Sequence, residues 1–198
     1  MSTSLHPALT LPASPATAAR LRRLAGELRR REPRLAAFGA ILLALLVPMA
    51  VAWAIDERTL RDANVWIKPM KFALSIAVFA FTTAWFAGHL PAAQRAGRAM
   101  DRIVWLLIAT ATFELGYITF QAALGQASHY NDSDAFHAAM YVAMGIAALG
   151  LTATQPMLAW LLHRHPEPAW PAAYRLAVIA GLALTFVFGA GIGGLLGN

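Results

Sequence analysis

The sequence contains no cysteine and few charged residues, and these two shortages exclude several classes of function. Without cysteine the chain has no disulfide, thiolate metal site, cysteine-ligated cluster or cysteine nucleophile. Only 13% of the 198 residues are charged, whereas a soluble domain usually carries about 25%. The sequence also lacks a phosphate-binding loop, a serine nucleophile elbow and an HExxH zinc helix. The low charged fraction is not typical of a soluble domain, and the missing residues and motifs leave no sequence signal for these kinds of metal site, nucleophile or phosphate-binding site.

Apolar residues make up 59% of the sequence, and they are gathered into runs of about 20, the length with which an α-helix crosses a bilayer. The runs do not alternate with polar residues, so they predict helices and not the strands of a barrel. The sequence predicts an all-α, polytopic membrane bundle with five spans, at residues 36–55, 66–88, 103–124, 136–162 and 174–196.

Residues 1–35 are predicted to form a basic arm ahead of the transmembrane helical domain, which covers residues 36–198. Three leucines in the arm follow helical spacing among many arginines: Leu21, Leu24 and Leu28. This pattern predicts a basic amphipathic helix that ends before Pro33 and lies on an anionic membrane surface. The alternative is a solvated arm that only sets the topology.

Lysine and arginine are distributed unequally around the predicted spans. Twelve lie in the arm or in the loops after the second and fourth spans, and four lie in or near the loop after the first. Because cytoplasmic segments are enriched in positive charge, the N-terminus is predicted to be cytoplasmic. This asymmetry accounts for the net charge of +6, so nucleic acid is not an expected partner. Richness in alanine and arginine favours a bacterial inner (plasma) membrane.

Polar residues share one side of three predicted spans. In the third span they lie within about 80° of one another on a helical wheel: Thr110, Glu114, Tyr117, Gln121, Gly125 and Ser128. The second span carries a similar stripe: Asn64, Lys68, Lys71, Ser75, Thr82 and His89. The fourth span has a weaker one: His137, Tyr141, Thr152 and Gln155. The stripes predict that these three spans face one another around a polar interior.

An ionisable residue within a bilayer is expected to face protein or water and to find a partner. Lys71 enters from the same side as Glu114, so a contact between them, direct or through water, is predicted. The alternative is a protonated Glu114 that hydrogen bonds within the bundle without any ligand. The candidate binding residues are Trp66, Lys68, Lys71, Glu114, Tyr117, Gln121, Ser128, His129 and Asn131.

Histidine offers a second kind of chemistry. A b-type haem could be held by His89 with His163, or by His129 with His137. A metal site could be assembled from the polar loop after the third span: His129, Asp132, Asp134 and His137. The spacing requires neither group, so the sequence assigns no cofactor and no metal.

Two sequence motifs in the chain resemble motifs of a protein family. The first is W-x-K-P-x-K-F, at Trp66, Lys68, Pro69, Lys71 and Phe72. The second is E-x-x-Y-I-x-x-Q-A-x-x-G-x-x-S-H-[YF]-N, which covers residues 114–131. Over residues 40–198 the chain resembles a family of bacterial multi-pass inner-membrane proteins that carry both motifs. The resemblance implies a membrane location and a longer parent chain, and it implies no activity.

The sequence thus predicts an integral membrane protein with a buried polar site open to the external face. This site would bind or move a small solute, a proton or a lipid. One alternative is a membrane redox protein or enzyme that uses haem or metal through its histidines, so enzymatic activity stays open. Another is a structural subunit of a membrane complex.

A small-xxx-small row in the fifth span predicts a packing face and allows a homo-oligomer or a partner helix: Gly189, Gly193 and Gly197.

Overall fold

The computed structural model describes residues 15–131 and 134–196, and it is almost entirely helical. Five of its helices are long and apolar enough to cross a membrane: α2 (Pro33–Ile55), α3 (Ile67–Ala87), α5 (Arg98–Leu124), α6 (Ala135–Arg164) and α7 (Ala172–Leu196). The described part also contains two further helices, α1 (Pro15–Arg31) and α4 (Ala92–Arg95). The predicted all-α class and the five predicted spans are confirmed.

A short antiparallel hairpin joins α2 to α3. Its strands are β1 (Thr59–Leu60) and β2 (Ala63–Asn64), with Thr59 paired to Asn64 and Leu60 to Ala63. The helical wheel placed Asn64 on the polar stripe of the second span, but this residue precedes the helix.

Local signals set the ends of the helices. Pro33 ends the arm helix as predicted, and it also begins α2, where a proline loses no helical hydrogen bond. The carboxylate of Glu32 caps α2 by accepting a hydrogen bond from the backbone N–H of Arg34 at 3.3 Å. At the C-terminal end of α5, Gly125 adopts φ 70°, the left-handed conformation that ends many helices.

Each long helix packs mainly on its neighbour in the chain: α2 on α3, α5 on α6 and α6 on α7, with α3 also packed on α5. One face of α3 is a row of alanines without exposed surface: Ala73, Ala77, Ala80, Ala84 and Ala87. Small side chains let helix backbones approach closely, which matters in lipid because apolar burial does not drive helices together there.

Gly189 of α7 lies where this helix packs on α6. A Cβ atom added to Gly189 would lie 2.9 Å from Cγ2 of Thr152 in α6, so this glycine permits a close approach of the two helices. Gly193 continues α7, and Gly197 lies outside the described residues. A homo-oligomer or partner helix at this row stays a prediction.

The connections between helices lie on two opposite sides of the bundle. One side holds α1 and α4 and is called the α1 side; the other holds the β-hairpin and loop 125–131 and is called the hairpin side. On the α1 side, Arg31 donates a hydrogen bond to the carbonyl of Trp85 at 2.8 Å. On the hairpin side, Arg58 donates one to the carbonyl of Ala123 at 3.1 Å. That the α1 side is cytoplasmic stays a prediction from charge.

Helix α1 is held against the end of α3 by Arg31. Its guanidinium carbon lies 4.0 Å from the centroid of the Trp85 ring, and its Nη1 lies 2.9 Å from Nε2 of His89. Burial and the adjacent Arg31 charge lower the pKa of His89, so its ring is neutral at pH 7 and can accept this hydrogen bond. Glu27 accepts a hydrogen bond from Nε of Arg31 at 2.9 Å and aligns the guanidinium.

Gly88 lies where α1 crosses the end of α3, and its substitution tests this docking. A Cβ atom added to Gly88 would lie 2.8 Å from Cβ of Arg31, an atom that moves only with the α1 backbone. We expect Gly88→Ala to weaken the docking by about 1–3 kcal/mol, the usual cost of overpacking. Trypsin should then cut the arginines of α1 several times faster.

The matched control is Gly26→Ala within α1, because a Cβ atom there meets no atom of residues 15–131 or 134–196 within 4 Å. This change should not increase the rate of cleavage. Equal rates for Gly88→Ala and the unsubstituted protein would contradict the docking of α1 on the end of α3.

Candidate functional site

A pocket of about 380 Å³ opens on the hairpin side, between the β-hairpin, the start of α3, the end of α5 and loop 125–131. Ligand pockets usually measure about 300–1,000 Å³, so this one suits a small molecule. Besides the phenol of Tyr130, its lining contains seven polar or charged residues: Arg61, Asn64, Lys68, Lys71, Gln126, Ser128 and His129.

Lys68 is partly buried in the first turn of α3, and its ammonium group is held by neutral partners. Nζ donates a hydrogen bond to Oγ of Ser128 at 2.7 Å and lies 3.1 Å from Nδ1 of His129. Oγ of Ser128 lies 3.2 Å from the same Nδ1, which closes a triangle of polar atoms. Among the ion pairs of residues 15–131 and 134–196, none involves Lys68. Its charge is therefore hydrogen bonded but not neutralised.

His129 acts as a hydrogen-bond acceptor in this triangle. Burial and the neighbouring Lys68 charge lower the pKa of His129 to about 4. The ring is consequently neutral at pH 7, and its Nδ1 can accept a hydrogen bond from the ammonium group of Lys68. The ring of Phe72 packs nearby, with 6.2 Å between the ring centroids. His129 thus orients Lys68 and adds no second charge.

The turn of the β-hairpin brings a third cation to the pocket lining. Arg61 and Asp62 have φ angles of 52° and 62°, as expected for the two central residues of a type I′ turn. Such turns favour Asn-Gly, and strained residues of other types cluster at functional sites. Sequence reasoning used Arg61 only to count charges and missed its place in the pocket, because the turn lacks the Asn-Gly signal.

A polar network around Asp56 fixes the hairpin to its neighbours. The Asp56 carboxylate accepts hydrogen bonds from Nη2 of Arg58 at 2.7 Å and from Nε1 of Trp66 at 2.8 Å, and these donors hold the pKa of Asp56 well below its usual range. Asn64 donates to the Asp56 carbonyl. Arg58 also reaches the carbonyl of Ala123 at the end of α5, at 3.1 Å. Trp66, a predicted binding residue, therefore supports the hairpin and does not line the pocket.

Three predicted binding residues of α5 lie deeper in the bundle and do not line the pocket. Glu114 is 5% exposed, Tyr117 is 7% exposed and Gln121 is fully buried. Nε2 of Gln121 donates a hydrogen bond to the Tyr117 hydroxyl at 2.7 Å. Oε1 of Glu114 and Oε1 of Gln121 meet no hydrogen-bond donor among the described residues. The predicted polar stripe is thus confirmed as buried at these three residues of α5, which form a set apart from Lys68, whereas Gly125 and Ser128 of the same stripe follow the end of α5.

The predicted direct contact between Lys71 and Glu114 is wrong. Lys71 is exposed, and within residues 15–131 and 134–196 no ion pair includes Glu114. The physical reason is the alanine row of α3, which occupies the inner face of this helix. Residues of the polar stripe, such as Ser75 and Thr82, are exposed as a consequence.

The inward-facing hydroxyl of α3 belongs to the residue after Thr82. Thr83 is fully buried and accepts a hydrogen bond from Nε2 of Gln155 in α6 at 3.1 Å. The predicted inward position of Gln155 is thus confirmed.

The other predicted binding and metal-ligating residues lie in the loop between α5 and α6 or at the start of α6. The side chain of Asn131 donates to the carbonyl of Ala127 at 3.1 Å. Asp134 caps α6 by accepting from the N–H of His137 at 2.9 Å, and its second oxygen lies 2.8 Å from Nδ1 of the same residue. In the described part of the chain, no three His, Asp or Glu side chains form a group that could hold a metal ion. Asp132 lies outside that part, and the haem pairings stay predictions.

No protein-family model, curated protein or solved structure matches the chain. The resemblance to bacterial inner-membrane proteins accordingly stays a prediction, and function is inferred from geometry. The structure gathers four of the nine predicted binding residues in the pocket lining: Lys68, Lys71, Ser128 and His129. It adds residues that sequence reasoning did not include in the site: Arg61, Asn64, Phe72 and Gln126.

Proposed function

We propose that this multi-pass membrane protein binds a small organic anion in the pocket on the hairpin side. The observation that carries this proposal is the partly buried ammonium of Lys68, which is held by Ser128 and His129 and by no carboxylate. A charge removed from water is normally paired, so an uncompensated cation in a pocket is suited to an anionic ligand. Two of its three N–H bonds point to protein atoms, and the third can donate to a ligand.

The rest of the lining supports the same class of ligand. Arg61 and Lys71 add two cations, and none of the described lining residues is acidic. Apolar side chains complete the walls: Val65, Ile67, Phe72 and Ile118. A carboxylate with a small apolar body would satisfy both parts of this lining, because its charge would meet Lys68 while its body displaced water from the apolar walls.

We place the protein in a bacterial inner membrane, with the pocket on the external side. The support for this orientation is the excess of lysine and arginine on the α1 side, which is typical of cytoplasmic segments. The ligand would then reach the pocket from the external side of this membrane, and binding it is the first step of either uptake or sensing.

The test compares three probes of similar size and different charge, namely benzoate, benzyl alcohol and benzylamine, by calorimetric titration of the detergent-purified protein. Benzoate should bind, and the other two should bind at least about tenfold more weakly. Lys68→Met should weaken benzoate binding by about 10–100-fold, since a hydrogen bond to a charged group contributes about 1.5–3 kcal/mol.

Arg98→Met is the matched control, because it also replaces a cation by methionine but lies at the start of α5, on the α1 side. It should leave benzoate binding unchanged. Equal binding of the three probes would overturn the proposal, as would undiminished benzoate binding by a folded Lys68→Met variant.

A further inference from the structure

A second open cleft, of about 620 Å³, lies on the α1 side between α1 and the end of α3. Its lining consists of Arg23, Leu24, Gly26, Glu27, Arg30 and Trp85. Helix α1 ends at Arg31 and the first membrane-spanning helix begins at Pro33, so the cleft lies at the edge of the membrane-spanning region. Among the described residues, none lines both the cleft and the hairpin pocket, so a ligand here would be independent of the anion proposed for that pocket.

The charges of the cleft favour an anion. Its acidic residue, Glu27, is already bound by Arg30 and by Nε of Arg31 at 2.9 Å, and these contacts lower the pKa of Glu27. Arg23 belongs to no ion pair among the described residues. Arg30 keeps 79% of its side chain exposed despite its contact with Glu27. Two guanidinium groups, separate from the docking contact of Arg31, are thus presented to the cleft.

The apolar residues of α1 indicate that this anion belongs to a lipid. Leu28 is buried against the bundle at 8% exposure, whereas Leu24 and Leu21 continue the same stripe at 46% and 58% exposure. A leucine stripe flanked by arginines is the pattern of a helix lying in the interface of an anionic membrane. Trp85 contributes an aromatic ring of the kind that is enriched at this depth.

We propose that the cleft between α1 and α3 binds the headgroup of an anionic phospholipid. The phosphate would lie against the guanidinium groups of Arg23 and Arg30, and an acyl chain would follow Leu24 and Trp85 into the membrane. The site would hold α1 on the surface of the anionic leaflet.

The experiment is native mass spectrometry of the full chain in detergent with added phosphatidylglycerol or phosphatidylcholine at equal concentrations. The intact protein should retain phosphatidylglycerol in preference to phosphatidylcholine. Each arginine near an anionic membrane surface strengthens binding about fivefold. We therefore expect Arg23→Gln to weaken phosphatidylglycerol retention by about that factor, and Arg23→Gln/Arg30→Gln by about 25-fold.

The control pair, Arg22→Gln/Arg29→Gln, has the same spacing and the same change of charge on the same helix. Arg22 and Arg29 are exposed and do not line the cleft, so this variant should retain phosphatidylglycerol at least about fivefold better than the cleft pair. Equal losses in the two pairs would overturn the site in favour of diffuse attraction between α1 and anionic lipid. Equal retention of the two lipids by the intact protein would also overturn it.

A competition measurement distinguishes a site for a lipid headgroup from a site for free phosphate. Inorganic phosphate at millimolar concentration should not displace phosphatidylglycerol, because it lacks an acyl chain to contact Leu24 and Trp85. Displacement by phosphate would overturn the assignment to a lipid. Trypsin cleavage of α1 in the Arg23→Gln variant without lipid should match that of the intact protein at the remaining sites, which would show that α1 is still docked.

Discussion

Replacing Ala80 by leucine is expected to destabilise the bundle by about 1–3 kcal/mol or more, because the new side chain has no room. Ala80 is the central member of the alanine row of α3 and has no exposed surface. Packing next to Ala80 is tight, because a Cβ atom added to Gly39 of α2 would lie 2.5 Å from the ring of Phe81, the next residue of α3. A leucine would have to push neighbouring helices apart, and many contacts along α3 would be lost together.

This loss can be measured as the midpoint of unfolding by sodium dodecyl sulfate in mixed micelles, followed by circular dichroism. Val78→Leu is the control on the same helix, because Val78 is 55% exposed and its side chain already points away from the packed face. We expect the control to unfold at the unsubstituted midpoint. An Ala80→Leu midpoint equal to that of the control would show that the alanine row does not determine helix spacing.

Replacing Glu114 by methionine is expected to raise the free energy of unfolding by about 1–3 kcal/mol, the usual cost of a buried polar atom without a partner. Glu114 is 5% exposed, and its Oε1 meets no donor among the described residues. Methionine has a similar length and no atom that requires a strong hydrogen bond. Glu114→Gln keeps a polar end, so it should raise stability less than Glu114→Met does.

The same unfolding assay can follow these variants, with Leu115→Met as the control for methionine itself. Leu115 is also 5% exposed and adjoins Glu114 in α5, and volume-conserving apolar exchanges usually cost less than about 1.5 kcal/mol. A lower stability for Glu114→Met would mean that the carboxyl group is stabilised by a bound ion, ligand or water. The predicted functional role of Glu114 would then be favoured over a role in structure alone.

The sequence was sufficient to predict the spans and one buried polar face. Uninterrupted apolar runs define membrane helices because lipid offers the backbone no hydrogen bonds. The angular argument succeeded for α5, where residues 98–124 form one continuous helix and Glu114, Tyr117 and Gln121 all lie inside. Because these three polar residues share one side of the helix and are costly to expose to lipid, that side turns toward the other helices.

The same reasoning failed for α3, since periodicity shows which residues share a side but not which side is buried. The buried side of α3 consists mainly of alanines, which let helices pack closely, and the polar stripe that includes Lys71 is exposed. Asn64 and His89 also fell outside the helix. The spacing of the alanines, at intervals of four and three residues from Ala73 to Ala87, was the signal available in the sequence.

The pocket itself could not be assembled from the sequence. Lys68 and His129 are brought together by tertiary contact across 61 positions, and the two motifs that contain them gave no distance between them. No signal in the sequence indicated Arg61, because its turn contains no glycine and arginine rarely adopts a positive φ. Such a turn becomes recognisable only when the flanking strands are seen to pair.

The packing of each long helix mainly on its neighbour in the chain has a consequence for how the bundle comes apart. Its stability is approximately a sum of successive interfaces, as in a one-dimensional array of repeats. Helix α7 contributes mainly one such interface, with α6, whereas α5 takes part in two. The array should therefore fray from its α7 end, while the hairpin pocket, built on α3 and α5 in the interior of the array, should be among the last parts to lose its shape.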